Sequence, residues 1–171
     1  MAEPAGLGLP FDPIARAGET WEREFGPASA MRVATSVMRV QQLLLARYDA
    51  VLKPYGITFA RYEALVLLRF ARRAALPLKV MGERLMVHPT SVTNIVDRLV
   101  ASGLVERRPN PADGRGVLAG LTDEGRDVVE RATRDLMAID FGLHMLDDAA
   151  RDLVYEQLRA VRLAAGDVAG S

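Results

Sequence analysis

The stretch from Pro77 to Gly103 constrains the fold of this chain more than any other. From Pro89 onward, Val92, Ile95, Val96, Leu99 and Val100 recur at i, i+3, i+4, i+7 and i+8, so one side of a helix must be buried. Pro89 stands at the first helical position, where its missing N–H costs nothing, and Gly103 can close the helix in a left-handed turn. The opposite side carries Thr90, Ser91, Thr93, Asn94, Asp97, Arg98 and Ala101. Short hydroxyl and amide side chains near the N-terminus, with an arginine further along, let the backbone approach a groove closely while donors and acceptors reach base edges or phosphates. An ordinary amphipathic surface helix has the same outline. Its neighbour weighs against that plainer reading: Pro77 begins a short helix through Leu78, Met81 and Leu85, and only Met86, Val87 and His88 stand between the two. Two helices with a three-residue break have the length pattern of a helix-turn-helix.

The residues that follow are not helical. Leu104 to Arg108 is short and tolerant of β structure, Pro109 to Gly114 is dense in turn formers, and Gly116 to Leu121 supplies a second short apolar strand. The spacing predicts a β-hairpin with Arg107 and Arg108 at its base and Arg115 at its tip. Such a hairpin behind a recognition helix makes a winged helix, whose exposed arginine can enter a minor groove and feel its negative potential.

Around this module the chain reads as helix. Asp12-Pro13 offers a cap and a proline at the first helical position, with Ile14, Ala17, Trp21 and Phe25 on one face until Gly26-Pro27. Val33, Val37, Val40, Leu44, Tyr48 and Val51 keep one apolar stripe along a longer helix that Pro54 and Gly56 end. Thr58 can cap the next helix, through Tyr62, Leu65, Val66 and Phe70. Thr122 can cap another, with Asp123 and Glu124 favourably placed in its first turn and an apolar line of Val128, Ala132, Leu136 and Ile139. Asp147 or Asp148 caps a last helix bearing Val154, Leu158 and Val161. Amphipathic helices at both ends need a partner surface, and in a chain this short a second copy is the simplest one.

Composition narrows the function. Half of the 171 residues are apolar, enough for a packed core, and no apolar run reaches the length of a membrane span. The first 26 residues lack the pattern of a secretory leader, so the chain is expected to be cytoplasmic. There is no cysteine, which removes disulfides, thiol nucleophiles and thiol redox sensing. His88 and His144 are far apart and show no metal-ligand spacing, and there is no glycine-rich phosphate loop or G-x-S-x-G, so neither a metal, a cofactor nor an enzyme is expected. Net charge is zero, but its distribution is uneven. Between Arg61 and Arg115 ten basic residues face five acidic ones, and the remainder of the chain has twelve against seventeen. A basic middle between acidic ends is the asymmetry of a chain with one lobe turned to a polyanion.

Tyr55-Gly56-Ile57-Thr58, Gly82-Glu83-Arg84-Leu85, Thr90-Ser91-Val92-Thr93-Asn94, Gly103-Leu104-Val105, Asp113-Gly114-Arg115 and Leu121-Thr122-Asp123-Glu124-Gly125, in this order and spacing, resemble the MarR family of bacterial transcriptional regulators over about residues 31 to 164. The resemblance implies a mainly α fold with a small β-hairpin, a winged helix-turn-helix DNA-binding lobe over 57–121, and a helical dimerisation lobe from 31–56 and 122–164. Residues 1–30 form an N-terminal extension with a short helix, and 165–171 a flexible tail. It implies a homodimer that binds double-stranded DNA at an inverted repeat, usually a repressor, released by a small ligand. Carried over to this chain, Pro89, Thr90, Ser91, Thr93, Asn94 and Arg98 lie at the major groove and Arg107 or Arg108 near phosphates. Arg115 enters the minor groove braced by Asp113, although Gly114 stands between them where the family often has a bulkier, charged residue, and Gly116 follows. A winged-helix protein-interaction module that has lost DNA binding is the alternative, and salt dependence of binding separates the two.

The leading helix resembles that of a family branch with urate-responsive and related members, where a tryptophan helps to form the pocket for a small organic anion. Trp21 is the sole tryptophan here, and Arg61 is the candidate to hold the anion; packing of Trp21 on the dimer lobe is the plainer reading. His144 is a candidate pH sensor at a dimer contact, against the plainer role of a routine surface histidine.

Overall fold

The computed structural model describes residues 8–110 and 116–168. Helix α1 (Pro13–Glu24) starts where the sequence places it, with Asp12 Oδ1 accepting from the Ile14 N–H at 2.8 Å. Helix α2 (Ser29–Leu52) runs into a 3-10 turn, Lys53–Tyr55, that Gly56 closes at φ 68°. Helix α3 (Phe59–Phe70) follows, but Thr58 does not cap it with its side chain. Asp49, one turn from the end of α2, takes that place and accepts from the Phe59 N–H at 2.7 Å, so a contact distant in sequence supplies the cap.

Next come α4 (Leu78–Leu85), α5 (Pro89–Ala101), α6 (Asp123–Ala138) and α7 (Asp148–Ala164), interleaved with β1 (Ala75–Pro77), β2 (Val105–Pro109) and β3 (Val117–Leu121). The strands form one antiparallel sheet in the order β1-β3-β2, with Leu76 opposite Ala119 and Arg107 opposite Ala119 from the other side. The expected hairpin is β2 and β3. The strand β1 is additional: Pro77, expected to begin a helix, is extended and closes β1, and helix α4 starts one residue later. Thr122 caps α6 through its hydroxyl oxygen, which accepts from the Gly125 N–H at 3.0 Å, and Asp147 caps α7.

A single core joins α2 through α6 and the sheet. Leu52 of α2, Leu65 and Leu68 of α3, Met81 of α4, Val92, Val96 and Leu99 of α5, and Val129 and Leu136 of α6 are fully buried within one cluster. Each such side chain contributes about 1.5–3 kcal/mol by leaving water, which outweighs the weak intrinsic preference of the β-branched valines for strand. The apolar stripe of α2 is buried only at its C-terminal end, at Tyr48, Val51 and Leu52. Val33, Val37, Met38 and Val40 are exposed, and α7 contributes no buried residue, with Leu153, Val154, Leu158 and Val161 open to solvent. Among the described residues no helix is long and apolar enough to cross a membrane.

Candidate nucleic-acid interface

Helices α4 and α5 approach each other closely because Gly82 has no side chain. A Cβ there would stand 3.1 Å from Val92 Cγ2. Met86 turns the chain in the left-handed region at φ 54°, and the Val87 N–H donates to the Gly82 carbonyl at 3.1 Å. His88 caps α5, its Nδ1 accepting from the Thr90 N–H at 3.3 Å, and Pro89 occupies the first helical position. With Val92, Val96 and Leu99 locked in the core, the polar residues of α5 have only one direction to face.

They face solvent. Pro89, Thr90, Thr93, Asn94, Asp97 and Arg98 line one shallow concavity of about 590 Å³ on the outer side of α5. Ser91 is exposed too but does not line it. Thr93 donates its hydroxyl proton to the Pro89 carbonyl at 3.1 Å, which leaves the hydroxyl oxygen with accepting capacity toward the outside. Arg98 makes no ion pair among the described residues.

Beside the concavity stands β2. Arg107 reaches back to α5 and pairs with Asp97, Nη2 to Oδ1, at 2.6 Å. Arg108 donates from Nε to Glu106 Oε1 at 2.7 Å, two residues along the same face of the strand. Its guanidinium lies over Gly120 on β3, where a Cβ would meet Arg108 Nε at 2.8 Å. Both arginines expected near phosphates therefore already carry an acidic partner. The pairing across the α5–β2 turn joins residues ten apart, a distance at which no local rule pairs charges, so the sequence alone does not disclose it. Asp113, Gly114 and Arg115 lie outside the described residues.

A second feature is a groove of about 840 Å³ between α2, α3 and α7, walled by apolar side chains such as Val37, Leu44, Phe59, Leu153 and Leu158. Arg32, not Arg61, is the arginine that lines it, and its Nη1 pairs with Glu22 of α1 at 2.8 Å. Arg32 also lies over Gly18, where a Cβ has no room. Glu63 opens into the same groove, and loss of water around it pushes its carboxyl above the ordinary glutamate range. Trp21 is 40% exposed, next in sequence to Glu22, with its ring tilted against Phe25 at 5.1 Å between centroids. Arg61 is half-buried in the first turn of α3. His144 is exposed between α6 and α7. Among the described residues no cluster of His, Asp and Glu has the arrangement of a metal site.

Residues 55–116 match the model of the MarR family, a span from the end of the 3-10 turn before α3 to the residue before β3. An uncharacterised HTH-type transcriptional regulator of Bacillus subtilis is 30% identical over 120 residues, which cover 70% of this chain and 73% of that protein. The structure of a MarR family transcriptional regulator from Streptomyces coelicolor is 60% identical, with a TM-score of 0.77, covering 82% of this chain and 98% of the other. A mutant of MarR from Escherichia coli, solved in complex with operator DNA, is 28% identical with a TM-score of 0.71, covering 78% of this chain and 96% of the other.

Proposed function

Because this chain belongs to the MarR family of transcriptional regulators, which bind DNA and are not enzymes, we propose that it is a homodimeric repressor that reads an inverted repeat with α5 and leaves it when a small organic acid binds. The observation that carries this reading is the division of α5: Val92, Val96 and Leu99 are wholly buried while Pro89, Thr90, Thr93, Asn94 and Arg98 line an outward concavity. Thr90, Ser91, Thr93 and Asn94 present the short donors and acceptors that base edges require, and Arg98 a guanidinium for guanine or phosphate. Arg107 and Arg108 serve the backbone, and Arg115, braced by Asp113, serves the minor groove.

The second copy covers the apolar residues that α2 and α7 leave exposed, Val33, Val37, Met38, Leu158 and Val161. In this arrangement 31–56 and 122–164 are the dimerisation lobe and 57–121 the DNA-binding lobe. Two recognition helices on a two-fold axis meet major grooves about 34 Å apart, so the half-sites stand roughly 10 base pairs from centre to centre. The organic acid lies where the second copy closes over the groove between α2, α3 and α7, with its carboxylate on Arg32, whose partner Glu22 follows Trp21 on α1. The exposed Arg32–Glu22 pair is weak enough to exchange partners, being worth about 0–1 kcal/mol.

The test is a titration of the purified protein onto an inverted-repeat duplex at increasing salt. Log K is expected to fall steeply and linearly with log salt. A flat profile, or no binding, overturns the reading and leaves a winged-helix protein-interaction module.

A further inference from the structure

The interface that faces DNA carries two carboxylates where only cations and neutral donors are needed. We propose that Asp97 and Glu106 are specificity-determining residues that restrain Arg107 and Arg108, withholding both guanidinium groups from indiscriminate attraction to phosphate. This inference rests on the DNA-binding reading above and concerns how that surface discriminates.

Three observations carry it. Asp97 lines the same outward concavity as Thr90, Asn94 and Arg98, so its charge faces any polyanion lying there. Its carboxylate holds Arg107 across the turn between α5 and β2, and Glu106 holds Arg108 along the strand. The restraint on Arg108 has a seat on the sheet, since the missing side chain of Gly120 leaves the space that the Arg108 guanidinium takes over β3. Three of the four side chains retain more than two-fifths of their exposure and Arg107 retains 36%, so these pairs contribute little to folding stability. Their effect is on charge at the surface.

Attraction to random DNA is almost wholly a matter of cations replacing counterions on phosphate. An arginine paired with a carboxylate replaces fewer of them, so Asp97 and Glu106 lower affinity for every sequence. Base contacts from Thr90, Asn94 and Arg98 are not reduced, because none of those side chains pairs with either acid in the structure. The ratio of specific to non-specific binding rises because seated base contacts hold Arg107 and Arg108 in register with phosphates, for which they exchange their carboxylates, whereas a random duplex sets no such register. Asp97 also ties β2 to α5, which holds Arg107 at one position on the backbone once the helix is seated in its groove.

The test uses the full chain, with fluorescence anisotropy on two duplexes of about 30 base pairs: a random sequence, and the inverted repeat that the wild-type protein selects from a random pool. Asp97→Asn and Glu106→Gln are isosteric changes at exposed positions, and thermal melting checks that each variant is folded. Each is expected to bind random DNA several-fold more tightly and to steepen the salt slope by about 0.9 per freed arginine, twice that in a dimer, while the selected repeat gains less. In the double variant Asp97→Asn/Arg107→Ala the gain is expected to vanish. Unchanged random-DNA affinity and slope in both single variants would overturn the inference while leaving the DNA reading intact. So would equal weakening on both duplexes, which is what loss of a merely structural tie produces. A wild-type protein that binds neither duplex overturns the DNA reading and this inference together.

Discussion

The carbonyl oxygen of Leu104 occupies the space that a Cβ on Gly125 would need. Around this contact the end of α5 is fastened to the start of α6: the Thr122 N–H donates to the Leu104 carbonyl at 3.2 Å, and the Thr122 hydroxyl donates to the Gly103 carbonyl at 2.8 Å. The same hydroxyl oxygen caps α6. One threonine and one glycine thus join the end of α5 to the start of α6.

Gly125→Ala is expected to destabilise the protein by about 3 kcal/mol, because the obstacle is backbone and cannot rotate away. For a chain of this size that lowers the melting temperature by roughly 6–12 °C, readable by circular dichroism. A melting temperature within a degree of wild type would show that α5 and α6 are not held this closely.

Arg98→Ala and Arg108→Ala are expected to behave differently. Arg98 lines the outward concavity without an ion pair among the described residues, so its loss should weaken the selected repeat by about 1–3 kcal/mol and relax preference at one base position. Arg108, on the strand beside Glu106, serves phosphate and no base, so its loss should weaken the selected repeat without relaxing preference at any base position. Equal loss of discrimination from both, measured by competition binding, contradicts this division of roles.

Leu158→Glu places a charge on the exposed face of α7 without touching the core, since Leu158 is 42% exposed in the single chain. Sedimentation is expected to show a folded monomer in place of a dimer. Affinity for the inverted repeat should then fall by roughly a hundredfold or more, because the second half-site is no longer reached by a tethered helix. A variant that remains dimeric places the contact elsewhere.

Burial raises the Glu63 carboxyl above its ordinary value of 4.5. A group whose folded value is raised contributes its stability fully below the unfolded value and loses it as pH rises through the folded one. At pH 7 the ionised Glu63 is therefore a burden, and Glu63→Gln should melt higher than wild type. The advantage should fade as pH falls through the raised folded value and be gone below 4.5. Melting curves across pH decide this, and a Gln variant that melts lower at pH 7 would mean that the carboxylate has a stabilising partner.

Much of the module was legible in the sequence because its signals are local. Val92, Val96 and Leu99 recur at helical spacing, Asp12, Thr122 and Asp147 are capping residues in the right places, and Gly56 and Gly103 end their elements at positive φ. What stayed hidden depends on residues far apart in the chain. Three residues ending in a proline carry no strand pattern, so β1 exists only because β3 arrives beside it. Thr58 has the right chemistry for a cap, yet Asp49 reaches the same N–H from the preceding helix. The apolar stripe of α2 is plain in the sequence, but periodicity does not say how much of it the same chain will cover. Trp21 and Arg61 were singled out by residue type, while Arg32, which lines the groove, looks in the sequence like any surface cation.

The unbroken cluster from Leu52 through Leu65 to Leu99 and Leu136 leaves no soft seam among α2, α3, α5 and α6. Under the proposed function, an effector that frees this protein from an operator therefore has little to bend among these four helices. It must tilt one whole body against its twin, like two hands turning at the wrists while the fingers keep their pose, and the change would register as an altered span between the paired helices.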